Sequence, residues 1–118
     1  MKLVLPIPPT ANNLFRNVPG KGRVKTGRYR QWLKTAAVEV MIQRKGERIE
    51  GPASVTIALK RPRANADLDN RIKPILDALQ HGGALANDKQ VSFLSACWAD
   101  VENVNVTVLK DESMELRA

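Results

Sequence analysis

The strongest constraint on the fold of this chain is a change of hydrophobic period around two acids. Val55, Ile57 and Leu59 repeat every second residue, the pattern of a half-buried strand. Ile72, Ile75, Leu76 and Leu79 repeat at i, i+3, i+4 and i+7, the pattern of a helix with one apolar face. Between them stands Asp67-Leu68-Asp69-Asn70. Extended backbone running on to Asp69 would turn both carboxylates to one face. Asp69 is then the expected N-cap of the helix, and Lys73 follows one turn later.

Neighbouring carboxylates resist double ionisation unless a cation compensates them. Mg²⁺ takes a few carboxylates and leaves positions for water and phosphate oxygens. In that setting it polarises a phosphoryl oxygen and acidifies a bound water. The same two residues also suit a surface turn with one capping and one solvated aspartate, and Asp-x-Asp alone does not decide between these readings.

Charge distribution supplies the next constraint. Residues 1–38 hold eight Lys/Arg and no acid, whereas the rest holds eleven Lys/Arg against twelve Asp/Glu. The whole net charge of +7 therefore originates in the N-terminal third. Such asymmetry points to a polyanionic partner, nucleic acid first, because neutralised phosphates release counterions. An anionic membrane surface lacks the basic amphipathic helix it would need. The 118 residues suit one domain spanning 1–118. No apolar run approaches membrane length, prolines interrupt the N-terminal apolar stretch, and the single Cys97 forbids an internal disulfide. Together these predict a cytoplasmic protein.

In order, Lys2 to Ile7 reads as an edge strand ending at Pro6, followed by the loop Pro8-Pro9-Thr10-Ala11-Asn12-Asn13. Arg16 to Arg30 has no apolar periodicity and reads as a mobile basic loop that tracks phosphates through Arg16, Lys21, Arg23, Lys25, Arg28 and Arg30. Arg28 to Lys45 reads as a helix capped by Thr26 and stopped by Gly46. Its apolar stripe includes Tyr29, Trp32, Val40 and Met41. Lys60, Arg61 and Arg63 lead from the Ala53–Lys60 strand into the acids, and Arg71 and Lys89 add further cations for DNA. Pro74 conflicts with a helix started by Asp69, so the helix either bends there or begins close to Pro74 after a looser turn. Lys73 and Asp77 suit an i, i+4 pair, and His81 a charge at the helix end. Val91 to Asp100 reads as a central strand with Cys97 buried. Val104, Val106 and Val108 read as its hairpin partner, and Asp111 to Ala118 as a polar end.

These residues resemble the RusA-type Holliday-junction resolvases, small endonucleases often carried by phages and prophages. The resemblance rests on Pro8-Pro9-Thr10-Ala11-Asn12-Asn13, Asp67-Leu68-Asp69-Asn70, Lys73, Asp77-Ala78-Leu79 and Asn87-Asp88-Lys89-Gln90-Val91. It implies that Asp67, Asp69 and Asp88 bind Mg²⁺ (with Mn²⁺ as a substitute), that Lys73 contacts the scissile phosphate or stabilises developing charge, and that a homodimer cuts a four-way junction symmetrically, in DNA recombination and repair. It also implies a bacterial or phage origin. Asn87 departs from the family, which often has an acid there, and Pro74 sits beside Lys73.

The expected architecture is α+β: a four-stranded mixed sheet with two main helices. The expected activity is Mg²⁺-dependent, structure-specific DNA cutting. A non-catalytic basic nucleic-acid-binding protein is the alternative. It would need Arg16 to Arg30 but not the three aspartates.

Overall fold

The computed structural model of the chain describes residues 1–10 and 13–113. Ala11 and Asn12 of the expected Pro-rich loop, and residues 114–118 of the polar end, lie outside the described residues. The elements in order are β1 (Lys2–Leu5), β2 (Phe15–Val18), β3 (Gly22–Lys25), α1 (Gly27–Gln43), β4 (Ala53–Leu59), α2 (Ile72–His81), β5 (Val91–Trp98) and β6 (Val104–Lys110). Short 3-10 turns at Asp69–Arg71 and Asp88–Gln90 precede α2 and β5.

The main sheet has four strands in the order β1-β6-β4-β5, as the α+β expectation required. β4 and β5 are parallel and joined through α2; the other pairs are antiparallel. Alternation decides which face is covered. Leu3 and Leu5, Val55, Ile57 and Leu59, and Val104, Val106 and Val108 are all buried, while Lys2, Val4 and Thr56 on the opposite face are exposed. Both helices pack on the apolar face through Tyr29, Leu33, Ala36 and Val40 of α1 and Ile75, Ala78 and Leu79 of α2. Burying a side chain of this size stabilises the fold by about 1.5–3 kcal/mol.

α1 begins as expected: the Thr26 hydroxyl accepts from the Tyr29 N–H at 3.1 Å. Its end differs slightly, because Lys45 already turns to φ 51 before Gly46. Met41 is not on the buried stripe; it is 55% exposed. α1 and α2 approach closely where Gly82 follows α2. A Cβ there would lie 2.4 Å from Val40 Cβ and 2.8 Å from the Ala37 carbonyl oxygen. Among the described residues no helix is long and apolar enough to cross a membrane.

Three expectations are overturned. β5 is an edge strand, not a central one, and Cys97 is exposed. Its mixed apolar pattern reflects an uncovered edge, where Phe93 and Leu94 remain 55% and 40% exposed. β6 is not the hairpin partner of β5. It lies between β1 and β4, where its three valines complete the core. The basic stretch is not an unstructured loop, because β2 and β3 form a separate antiparallel hairpin. Its turn uses Gly20 and Gly22 at φ 80 and φ 78.

Candidate active site

The end of the sheet at Leu5, Leu59 and Val104 carries most of the predicted site. The chain leaves β4 at Leu59 and loops back before α2 begins. Ala66 is buried, the Ala66 N–H donates to the Arg63 carbonyl at 3.1 Å, and Arg61 lies over the Trp98 ring at 5.6 Å. This loop displays Asp67 and Asp69, both exposed.

The acids are not held by continuing strand geometry. Leu68 has helical angles (φ −65, ψ −44), so the period-two argument does not apply between them. Asp69 opens the 3-10 turn instead of capping α2, and its side chain has no hydrogen-bond partner among the described residues. Asp67 accepts weakly from Asn70 Nδ2 at 3.4 Å. The looser first turn also resolves the Pro74 conflict. α2 starts at Ile72, so Pro74 is its third residue, where a backbone N–H has no helical partner to lose.

Lys73 pairs with Asp77 Oδ1 at 3.5 Å, the expected i, i+4 pair, and its side chain stays 60% exposed. The other Asp77 oxygen accepts from the hydroxyl of buried Tyr29. Burial first, then that hydrogen bond and the carboxylate charge, push the Tyr29 hydroxyl far above its ordinary range, so it stays protonated and donates. Tyr29 is thus a core residue, as its place on the α1 stripe predicted. The link from core tyrosine through Asp77 to Lys73 was not legible, because Tyr29 and Asp77 come together only in the fold.

Asp88 lies elsewhere. β4 and β5 run parallel, Ala53 beside Val91 and Leu59 beside Trp98. Asp88 precedes β5 and so sits at the start of the strands, whereas Asp67 and Asp69 follow the end of β4. The seven residues of β4 separate these ends by about 20 Å. Within one chain the three aspartates do not make the expected cage. Among the described residues no group of three His, Cys, Asp or Glu converges closely enough to hold a metal ion.

The Asn87 departure has a structural account. Asn87 Oδ1 accepts from the Lys89 N–H at 2.8 Å, and Gln90 Oε1 accepts from the Asn87 N–H at 3.0 Å, a reciprocal cap around Asp88. The Asp88 N–H donates to Gln80 Oε1 of α2 at 3.2 Å. Gln90 Nε2 also reaches the Ile49 and Gly51 carbonyls, each at 2.9 Å. Asn and Asp cap comparably well, so an amide at this position keeps the turn. The Asn-x-x-Gln spacing was the available signal.

The predicted cations divide by position. Arg16, Lys21, Arg23, Arg28 and Arg30 are exposed on the hairpin and the start of α1, and Lys25 is half-buried. Arg23 stacks over Phe15 at 4.2 Å, and Arg30 donates to the Lys25 carbonyl. Lys60, Arg61 and Arg63 are exposed around the acid-bearing loop, and Lys89 is exposed at the opposite end beside Asp88. Arg71, expected as a further cation for DNA, is buried at 5% exposure and donates to the Pro8 carbonyl.

The family model of the endodeoxyribonuclease RusA matches residues 6–109. The chain belongs to the RusA endodeoxyribonuclease family. It is also 35% identical, over 89 residues covering 74% of this chain and 68% of the relative, to a protein of Aquifex aeolicus (strain VF5) named crossover junction endodeoxyribonuclease RusA. Membership makes the chain a nuclease that hydrolyses phosphodiester bonds within DNA. The family match spans the whole basic hairpin, the acid-bearing loop, α2 and the capped turn before β5.

Proposed function

We propose that this RusA-family nuclease resolves four-way DNA junctions, in recombination and repair, as a Mg²⁺-dependent homodimer. The observation that carries this reading is the placement of Asp67 and Asp69: exposed, bearing little or no structural duty, with Arg63 lining the same small cavity as Asp67 and Lys73 one helical turn beyond Asp69. The name of the Aquifex relative supports the junction as substrate.

Mg²⁺ suits these donors. It binds through one or two carboxylates, keeps several waters, and takes substrate phosphate oxygens as further ligands. Asp67 and Asp69 would hold it, joined by Asp88. Bound there, it would supply Lewis-acid stabilisation of the phosphoryl oxygens and a more acidic water. The protein's own groups do the rest. The basic hairpin and the start of α1 bind the backbone without reading sequence. Lys73, steadied by Asp77, places a positive charge against the phosphate as negative charge develops.

The topology supports dimerisation in a particular form. β5 pairs only with β4 among the described residues, so its outer edge is open, and it has no charged residue between Val91 and Trp98. Uncharged exposed edges favour pairing with another strand. A second copy added antiparallel along β5 would bring its Asp88 toward the Asp67–Asp69 end of the first, and the two-fold axis would repeat the arrangement. Each site would then draw on both chains.

A synthetic four-way junction tests the activity. Paired symmetric nicks are expected with Mg²⁺ and none with EDTA; binding without nicks in Mg²⁺ or Mn²⁺ would leave only the non-catalytic binding protein. Mixing Asp69→Asn with Asp88→Asn protein tests the arrangement. Shared sites predict that mixed dimers regain one intact site and nick one strand. Sites confined to single chains predict no recovery.

A further inference from the structure

A cavity of about 440 Å³ opens beside the acid-bearing loop, lined by Ile7, Pro8, Pro9, Trp32 and three arginines, Arg28, Arg63 and Arg71. A separate cavity of about 80 Å³ shares Thr10, Arg63 and Arg71 with it and is also lined by Asp67 and Asn70. Among the described residues no acid lines the large cavity. Among the described residues no carboxylate forms an ion pair with any of the three arginines.

Arg71 is the unusual member. It is 5% exposed, one guanidinium nitrogen donates to the Pro8 carbonyl, and its Nε has no hydrogen-bond partner among the described residues. Burial and the neighbouring Arg63 charge lower its pKa from the ordinary value. Arginine nevertheless remains protonated in proteins. A buried, under-satisfied cation facing a second cation is unfavourable unless an anion completes it. Structural tethering of Pro8 accounts for one donor only. It explains neither the idle Nε nor the convergence of Arg28 and Arg63 from two other segments.

We propose that this cavity is a phosphoryl-binding site that receives a phosphodiester of the bound DNA other than the one being cut. Arg28, Arg63 and Arg71 supply the donors, and Trp32 with Pro8 and Pro9 supplies an apolar wall for the attached sugar or base. Arginine suits the task because its fork matches phosphate oxygens two at a time. The volume accommodates a nucleotide rather than a bare ion. The inference rests on the nuclease reading for the source of the phosphate, and the site would fix the strand's register relative to Asp67. That is a positioning duty, separate from the diffuse attraction of the basic hairpin.

The test uses the full chain without divalent metal, so that it is independent of cutting. Thymidylyl-thymidine, thymidine 5′-monophosphate and inorganic phosphate are titrated at constant ionic strength against chloride. The Trp32 indole N–H and Arg71 Nε–H are followed by NMR. The dinucleotide should saturate, shifting both signals. Arg63→Gln and Arg28→Gln, both at exposed positions, should keep the wild-type melting temperature and each weaken binding about tenfold or more, the scale of losing one charge-assisted hydrogen bond. No saturable shift beyond chloride overturns the site. Unchanged affinity in both variants also overturns it. Saturation by the monophosphate but not by the dinucleotide overturns the assignment to a DNA strand. Junction cutting by the same wild-type preparation, assayed separately, reports on the nuclease reading alone.

Discussion

Asp69→Asn is expected to cut DNA about 10²–10³-fold more slowly, the scale of removing one preorganised electrostatic partner of a transition state. The substitution keeps volume and shape and removes only the charge. Asp69 is exposed and its side chain has no hydrogen-bond partner among the described residues, so folding should not change. Binding should hold or tighten slightly, because one negative charge facing the phosphates is gone. Nicking rates and gel-shift affinities measured on the same junction separate the two effects. A variant that cuts at the wild-type rate would remove Asp69 from the chemistry. A variant that fails to bind would mean that the carboxylate shapes the loop after all.

Gly82→Ala should destabilise the fold by about 3 kcal/mol, the upper end for overpacking, and lower the melting temperature on the order of 10 °C for a domain of this size. The glycine does not need a left-handed backbone; its φ is −83. What it needs is space. The added methyl would meet Val40 Cβ at 2.4 Å and the Ala37 carbonyl at 2.8 Å, and neither belongs to a flexible side-chain tip. The helices would have to separate, which would also pull on the hydrogen bond from Arg44 Nε to the Gly82 carbonyl, 2.9 Å long. Gly83, at φ 86, offers the contrast: its added Cβ would press only on the Arg44 guanidinium, so strain there comes from the backbone. Thermal unfolding checks both, and an unchanged Gly82→Ala melting temperature would show that α1 and α2 adjust freely.

Much of the fold was legible where one periodicity persisted. Val55, Ile57 and Leu59 marked a strand with one buried face, and Ile75 and Leu79 marked the buried face of α2. Thr26 marked the start of α1. Strand order was not legible, since β5 and β6 present similar apolar patterns and only packing decides which is flanked on both sides. The hairpin was obscured because its four-residue strands carry charge on surfaces with little core to face. For the site, Asp67, Asp69 and Lys73 were found by type and spacing. The separation of Asp88 from them was invisible, because a parallel β4–α2–β5 unit places the residues before β5 far from those after β4. The burial of Arg71 was not legible for a related reason: its partner Pro8 is 63 residues away.

The position of β6 has a consequence for how the molecule comes into being. Its residues pair with β1 on one side and β4 on the other. Until β6 has been synthesised, β1 has no neighbour and the valine-lined centre of the core is missing. A nascent chain can pair β4 with β5, but it cannot join β1 to the sheet until β6 lies between them, so the cationic hairpin is synthesised well before the four-stranded sheet is complete.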